Sequence, residues 1–173
     1  MKCYLWLALG IIASDAAAET RAVFLEDIQG MRIEIATLNF DAEGSYSLEM
    51  AEAPFSDHFL SMRPFKCLEG PQKNWCYVPY PYEIERNIAD DLIDLEYDFL
   101  FVWKDASDYG INMWNGVYYK ISEVDGQLTG TLHEMDMDTL SAPPPAGELR
   151  PVQAKDLHQS DPESHWLPRL VIE

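Results

Sequence analysis

The chain has 173 residues, with 12 Lys and Arg against 30 Asp and Glu, a formal net charge of −18 at pH 7. No basic cluster interrupts that balance, which excludes recognition of a phosphate backbone and so a nucleic-acid partner. The length suits a single domain whose core needs neither a metal nor a dense set of disulfides.

Residues 1–18, "MKCYLWLALGIIASDAAA", carry Lys2, an apolar run from Cys3 to Ala13 and the small triplet Ala16, Ala17, Ala18. This is the three-part layout of a secretory signal peptide with an expected cut before Glu19, directing a soluble product to the periplasm or outside the cell. The run is shorter than the roughly 20 residues a membrane helix needs, and no later stretch is more apolar, so no stable membrane insertion is expected after cleavage. Loss of the leader removes one base, Lys2, and one acid, Asp15, and leaves the net charge at −18. Cys67 and Cys76 then remain as an even pair, which in an oxidising compartment favours a disulfide over a thiol nucleophile or zinc ligands.

The mature chain, taken as one antiparallel β domain over 19–141, opens with "RAVFLED", a short candidate strand. Met31, Ile33 and Ile35 then alternate with Arg32, Glu34 and Ala36, while Tyr46, Leu48 and Met50 alternate with Ser47 and Glu49. With turn residues at 41–44 between them, these read as a hairpin. Ser56, Asp57 and His58 are contiguous; catalytic triads are assembled from separated elements, so a turn or helix cap at Ser56 or Asp57 is the expected role.

In "RPFKCLEGPQKNWCYVPYPYE", a turn at Pro71 and Gln72 pairs Gly70 with Lys73 and, counting outward, Glu69 with Asn74, Leu68 with Trp75 and Cys67 with Cys76. Bonded and non-bonded pairs alternate along an antiparallel ladder, so a bonded 70:73 pair puts 67:76 in a non-bonded site. There the Cα atoms lie about 4.5 Å apart, within disulfide range. Pro79 and Pro81 among Tyr77, Tyr80 and Tyr82 keep the following segment extended and deny it ladder donors, as on an edge strand.

In "NIADDLIDLEYDFLFVWKD", Asp90 or Asp91 is the expected cap of a short helix over about 88–95, followed by a buried strand from Tyr97 to Trp103. Trp114 sits in a Gly- and Asn-rich loop after Tyr109. Asp125 and Gly126 form a type I′ turn dipeptide between two β-rich runs. Counting outward pairs Ile121 with Gly130, Tyr119 with Leu132 and Val117 with Glu134, which puts Val117, Tyr119, Ile121 and Leu132 on the core face and Tyr118 on the other. Pro143, Pro144 and Pro145 open a proline-rich C-terminal segment, 142–173, partly docked or mobile, whose apolar end Leu170–Ile172 is expected at most as a last edge strand.

Among functional motifs, GxSxG, GxxxxGK[ST], GxGxxG, HExxH and CxxC are all absent, and no cofactor is implied. A calcium-loop frame starting at Asp105 fails because Gly116 stands where the bidentate glutamate should be. His133, Glu134, Asp136 and Asp138 form the most metal-like cluster, with a charged, solvated strand end as the plainer explanation.

Together these features describe a mainly β protein: one antiparallel domain, a small barrel or sandwich, with one short helix. An export signal, short hairpins, a buried aromatic strand and "GQLTGTL" make it similar in general character to small exported lipocalin-like barrels, although it lacks a GxW signature near the mature N-terminus. The expected function is a non-enzymatic binding or interaction module that holds a small apolar or amphipathic ligand, or a protein partner, on an aromatic surface drawn from Trp75, Tyr77, Tyr80, Tyr82, Trp103, Tyr109 and Trp114. The competing expectation is a periplasmic hydrolase using carboxylates, with a metal at 133–138.

Overall fold

The computed structural model describes residues 18–60 and 63–173; the expected leader, apart from Ala18, lies outside them. Their strands form one antiparallel sheet. β1 (Glu19–Glu26) and β2 (Arg32–Phe40) form the first hairpin, and β3 (Tyr46–Met50) adds to β2. β4 (Ser56–Leu60), β5 (Arg63–Glu69) and β6 (Lys73–Tyr77) form a meander continued by β7 (Phe101–Asp105), β8 (Gly116–Val124) and β9 (Gln127–Met135). The two-residue β10 (His158–Gln159) pairs with β9, and β11 (Arg169–Ile172) joins β9 to β1. The path runs β3-β2-β1-β11-β9-β8-β7-β6-β5-β4, so its two ends are consecutive in the chain and joined by residues 51–55. The sheet therefore curls towards closure, but no pairing joins β3 to β4 among the described residues, so it is not a closed barrel.

Both hairpin registers follow the turn chemistry. Cys67 faces Cys76, Leu68 faces Trp75 and Glu69 faces Asn74, and the Cys67–Cys76 disulfide closes across a Cα separation of 4.0 Å. Asp125 and Gly126 have φ of 52° and 81°, the pair of positive values a type I′ turn requires, and the expected pairs of β8 with β9 all form. Asp41 Oδ1 accepts from the backbone N–H groups of Glu43 and Ser45 and sets the turn between β2 and β3.

Five expectations are corrected. Ser56–His58 belong to β4, neither turn nor cap, because Asp57 stands opposite Lys66 and their side chains meet at 2.9 Å. The alternation in β2 breaks where Val23 pairs with Ala36 but Phe24 pairs with Glu34; the bulge at Ile35 leaves both Ile35 and Ala36 buried. Leu170–Ile172 are not an edge: β11 lies between β1 and β9 with all three residues buried. Gly130 admits it, since a Cβ there would meet Tyr119 Cβ at 3.0 Å and Leu170 Cβ at 3.1 Å.

The fourth correction concerns the helix. α1 spans Ile93–Asp98, later than expected, with Tyr97 on the helix and β7 starting at Phe101. Asp91 Oδ1 accepts from Ile93 N–H and fixes the first turn there. The helix sits where the β7–β8 ladder, which pairs only Phe101 with Val117 and Val102 with Gly116, gives out. Glu96 takes the place of a strand neighbour: its carboxylate accepts from Ile121 N–H at 2.7 Å and from the Tyr118 hydroxyl. Asp98 accepts from Tyr46 OH and from the Arg86 guanidinium, each at 2.8 Å, and Asp94 accepts from Arg150 Nε at 2.7 Å. Three buried carboxylates thus tie α1 to β8, to β3 and to the C-terminal segment.

One core cluster gathers Val23, Leu25, Leu38, Trp75, Phe101, Tyr119 and Leu170. The second, across the sheet, gathers Cys67, Cys76, Val102, Tyr118, Met137 and Leu140. Tyr118 is therefore buried on the face expected to meet solvent, because α1 and residues 137–140 cover it.

Candidate functional site

The seven aromatic residues singled out from sequence do not form one surface. Trp75 is fully buried, its indole N–H donating to Tyr119 OH at 3.0 Å. Tyr77 packs against the same core, where burial and the nearby Asp98 charge push its phenol up to about 12. Tyr80 packs edge-to-face against Tyr97, with ring centres 4.6 Å apart, and donates to Leu149 O, while Tyr82 donates to Leu140 O. The Tyr-Pro strip is thereby a strap across both ends of the proline run, and Arg150, held by Asp91 and Asp94, completes the anchorage. Tyr82 also lines a hollow of about 500 Å3 beneath that strap, with Phe65, Val78 and Met113. Trp103 is partly buried, and Tyr109 and Trp114 are exposed.

A different group of residues builds the most apolar cleft. The turn between β1 and β2 is fixed by Asp27 Oδ1, which accepts from the N–H groups of Gln29 and Met31 at 2.8 Å each. It holds Ile28 and Met31 outward, 61% and 69% exposed. Facing it are the turn between β5 and β6, at Pro71–Lys73, and residues 163–167. Between them is a hollow of about 410 Å3 walled largely by Ile28, Met31, Ile33, Trp166 and Leu167. The Trp166 ring lies against Gly70, where a Cβ would come within 2.5 Å of the indole; glycine at that position lets the ring seat on the turn.

The polar part of the cleft is a line of three groups. Lys73 Nζ donates to Ser164 O at 3.1 Å and to His165 Nδ1 at 3.3 Å, and lies 4.0 Å from the centre of the Trp103 ring. An ammonium can only donate, so Nδ1 accepts and the imidazole proton resides on Nε2, which donates to Glu134 Oε1 at 2.9 Å. The imidazole is buried against Trp75 and Trp103. Burial holds its pKa below the ordinary histidine value, against the pull of the Glu134 hydrogen bond and with help from the Lys73 charge. Ser164 supplies no nucleophile to this line: its hydroxyl donates to Asp161 O at 2.6 Å. The arrangement orients and holds; it does not resemble an activated nucleophile.

Of the metal candidates, Glu134 is engaged with His165, His133 Nδ1 lies 3.0 Å from Thr131 O, and Asp136 caps the 3-10 turn at 137–140 through Asp138 N–H. Asp138 is exposed in that turn. Among the described residues, no three His, Cys, Asp or Glu side chains are grouped to hold a metal ion.

Ile28, Met31, Lys73, His165 and Trp166 were not singled out from sequence. A signal existed for the first: an isoleucine inside the polar turn "EDIQGM" is out of place unless something covers it. His165 and Trp166 lie in the tail, and only the placement of β11 brings them against Trp75 and Gly70 respectively. No protein-family model matches the chain, and searches of curated proteins and of solved structures return no match.

Proposed function

We propose that this chain is an exported, non-enzymatic binding protein that carries a small amphipathic ligand in the cleft formed by residues 27–33, 71–73 and 163–167. The observation that carries the reading is the coincidence of two exposed apolar side chains, Ile28 and Met31, with a hollow of about 410 Å3. That volume falls within the roughly 300–1,000 Å3 of small-molecule sites, and its lining of apolar walls with a few fixed polar groups is their usual composition. Lys73 uses two of its three donors on Ser164 and His165, leaving the third for an acceptor on the ligand head. The ligand this suits is an apolar chain or ring ending in a carbonyl or carboxylate. A disulfide and a leader-like N-terminus support an oxidising, exported destination.

The test is titration with a dansyl-labelled medium-chain carboxylic acid. Saturable fluorescence enhancement is expected for the native protein, with affinity lowered about tenfold or more by Ile28→Glu or Met31→Glu, since each places a charge where the ligand's apolar part would lie. Both positions are exposed, so thermal unfolding should be unchanged. No saturable binding, or binding indifferent to both changes, overturns the reading.

A further inference from the structure

Tyr109 and Trp114 are 93% and 69% exposed and lie on the connection between β7 and β8. An exposed indole on a mobile loop would need no explanation. This one is held in place. Asn112 Oδ1 accepts from Trp114 N–H at 3.1 Å, Asn112 O accepts from Asn115 N–H at 3.0 Å, and Met137 N–H donates to Met113 O at 2.9 Å. Trp103 N–H donates to Asn115 O, and the Asn115 side chain donates to Trp103 O. The backbone on both sides of Trp114 is thus fastened to β7 and to the segment after β9.

Trp114 borders an open groove of about 680 Å3 with Asn115, Asp136, Lys155, Asp156 and His158. Tyr109 borders a smaller hollow of about 200 Å3 that shares Asn115. The groove has three carboxylates, Asp136, Asp156 and Glu134, and all are already oriented: Asp136 Oδ1 accepts from Asp138 N–H, Asp156 Oδ2 from Gln153 N–H and Glu134 Oε1 from His165 Nε2, each at 2.9 Å. Each keeps a second oxygen as an acceptor. The lining carries both signs of charge, so a simple cation would meet Lys155 and a simple anion would meet Glu134, Asp136 and Asp156. A neutral ligand that donates and accepts at many points suits both, and a flat indole calls for a ligand with a flat apolar face. A pyranose ring has both: a face of C–H groups and a rim of hydroxyls.

We infer that this face is a saccharide-binding site in which a neutral glycan lies along the groove with one sugar ring on Trp114 and another near Tyr109, bridged at Asn115. The groove meets the apolar cleft only through Glu134, which accepts from His165, and Trp114 and Tyr109 lie outside the cleft's lining.

The experiment is affinity electrophoresis of the whole protein in native gels containing soluble neutral polysaccharides: a β-glucan, a xylan, a galactomannan and an α-glucan. At least one is expected to retard the protein, equally at low and high salt because the ligand is uncharged. Trp114→Ala should weaken the interaction about tenfold or more and Tyr109→Ala by less, with thermal unfolding unchanged in both. Met31→Glu, in the apolar cleft, should leave it intact. Saturation-transfer NMR with oligosaccharides of the retarding polymer should mark ring C–H protons in the native protein, a readout that does not depend on any variant folding. No retardation by any of the four, or retardation unchanged in a variant carrying both Trp114→Ala and Tyr109→Ala, overturns the inference; so does retardation that high salt abolishes.

Discussion

His165 is enclosed by the Trp75 and Trp103 rings, the Lys73 ammonium from β6 and the Glu134 carboxylate from β9. Its folded pKa lies below the ordinary value of about 6.5 that it regains on unfolding. Between those two values the unfolded chain binds more protons than the folded one, so stability rises with pH across that window. Acidification from about pH 7 should therefore lower the urea midpoint as pH passes below about 6.5, levelling once the folded imidazole is also charged. In His165→Gln, which keeps a donor and an acceptor but cannot titrate, this slope should be reduced. A midpoint that rises on acidification through the same window, or a slope unchanged in the variant, contradicts the assignment. Protonation of the folded imidazole places a new N–H against the Lys73 ammonium, so binding in the proposed apolar cleft should weaken below that window, as pH falls through the folded value.

At the scale of elements, α1 and β11 carry more of the structure than their lengths imply. Glu96 is the acceptor for a β8 backbone N–H and for Tyr118 OH, and burial raises its pKa despite both hydrogen bonds. Glu96→Ala leaves both donors buried and unpaired and should cost about 2–5 kcal/mol in denaturant unfolding. Glu96→Gln, which keeps an acceptor for Ile121 N–H, should lose less than half of that. Equal losses in the two variants would mean that an amide oxygen restores nothing and would contradict the Ile121 hydrogen bond as a source of the stabilisation. β11 joins β1 to β9 through both of its edges, so a chain ending at 168 should lose its cooperative thermal transition, whereas a loosely docked tail would leave it intact.

The same two elements mark the boundary of what the sequence discloses. Asp125-Gly126 and the turn at Pro71-Gln72 each act within a few residues, and local turn chemistry sets register, so both hairpins and the disulfide were legible. The extent of α1 depends on partners far away in the chain, Tyr46, Tyr118, Ile121 and Arg150. No local period announces them. β11 was misplaced for a related reason: "LVI" is too short to reveal on how many sides it will be covered. The aromatic list contained the two exposed rings, Tyr109 and Trp114, but composition could not separate them from core rings such as Trp75. The apolar cleft was illegible because it is assembled from three turns and segments distant in the chain.

For the whole molecule, the curled sheet is joined end to end by residues 51–55 and leaves both proposed sites around its loops, with Trp75 and Tyr119 filling the interior. Interior packing of this kind leaves the turns as the place for a ligand. The net charge of −18 favours solubility and repels polyanions, in keeping with the neutral and amphipathic ligands proposed above. The measurement that tests this most directly is native mass spectrometry of the protein purified without unfolding from the cells that make it, set beside its denatured mass. Added small-molecule mass should be present under native conditions, lost on denaturation, and absent from the Met31→Glu protein prepared in the same way. A bare native mass that acquires no ligand on incubation with medium-chain carboxylic acids, or added mass that Met31→Glu retains in full, would contradict the account.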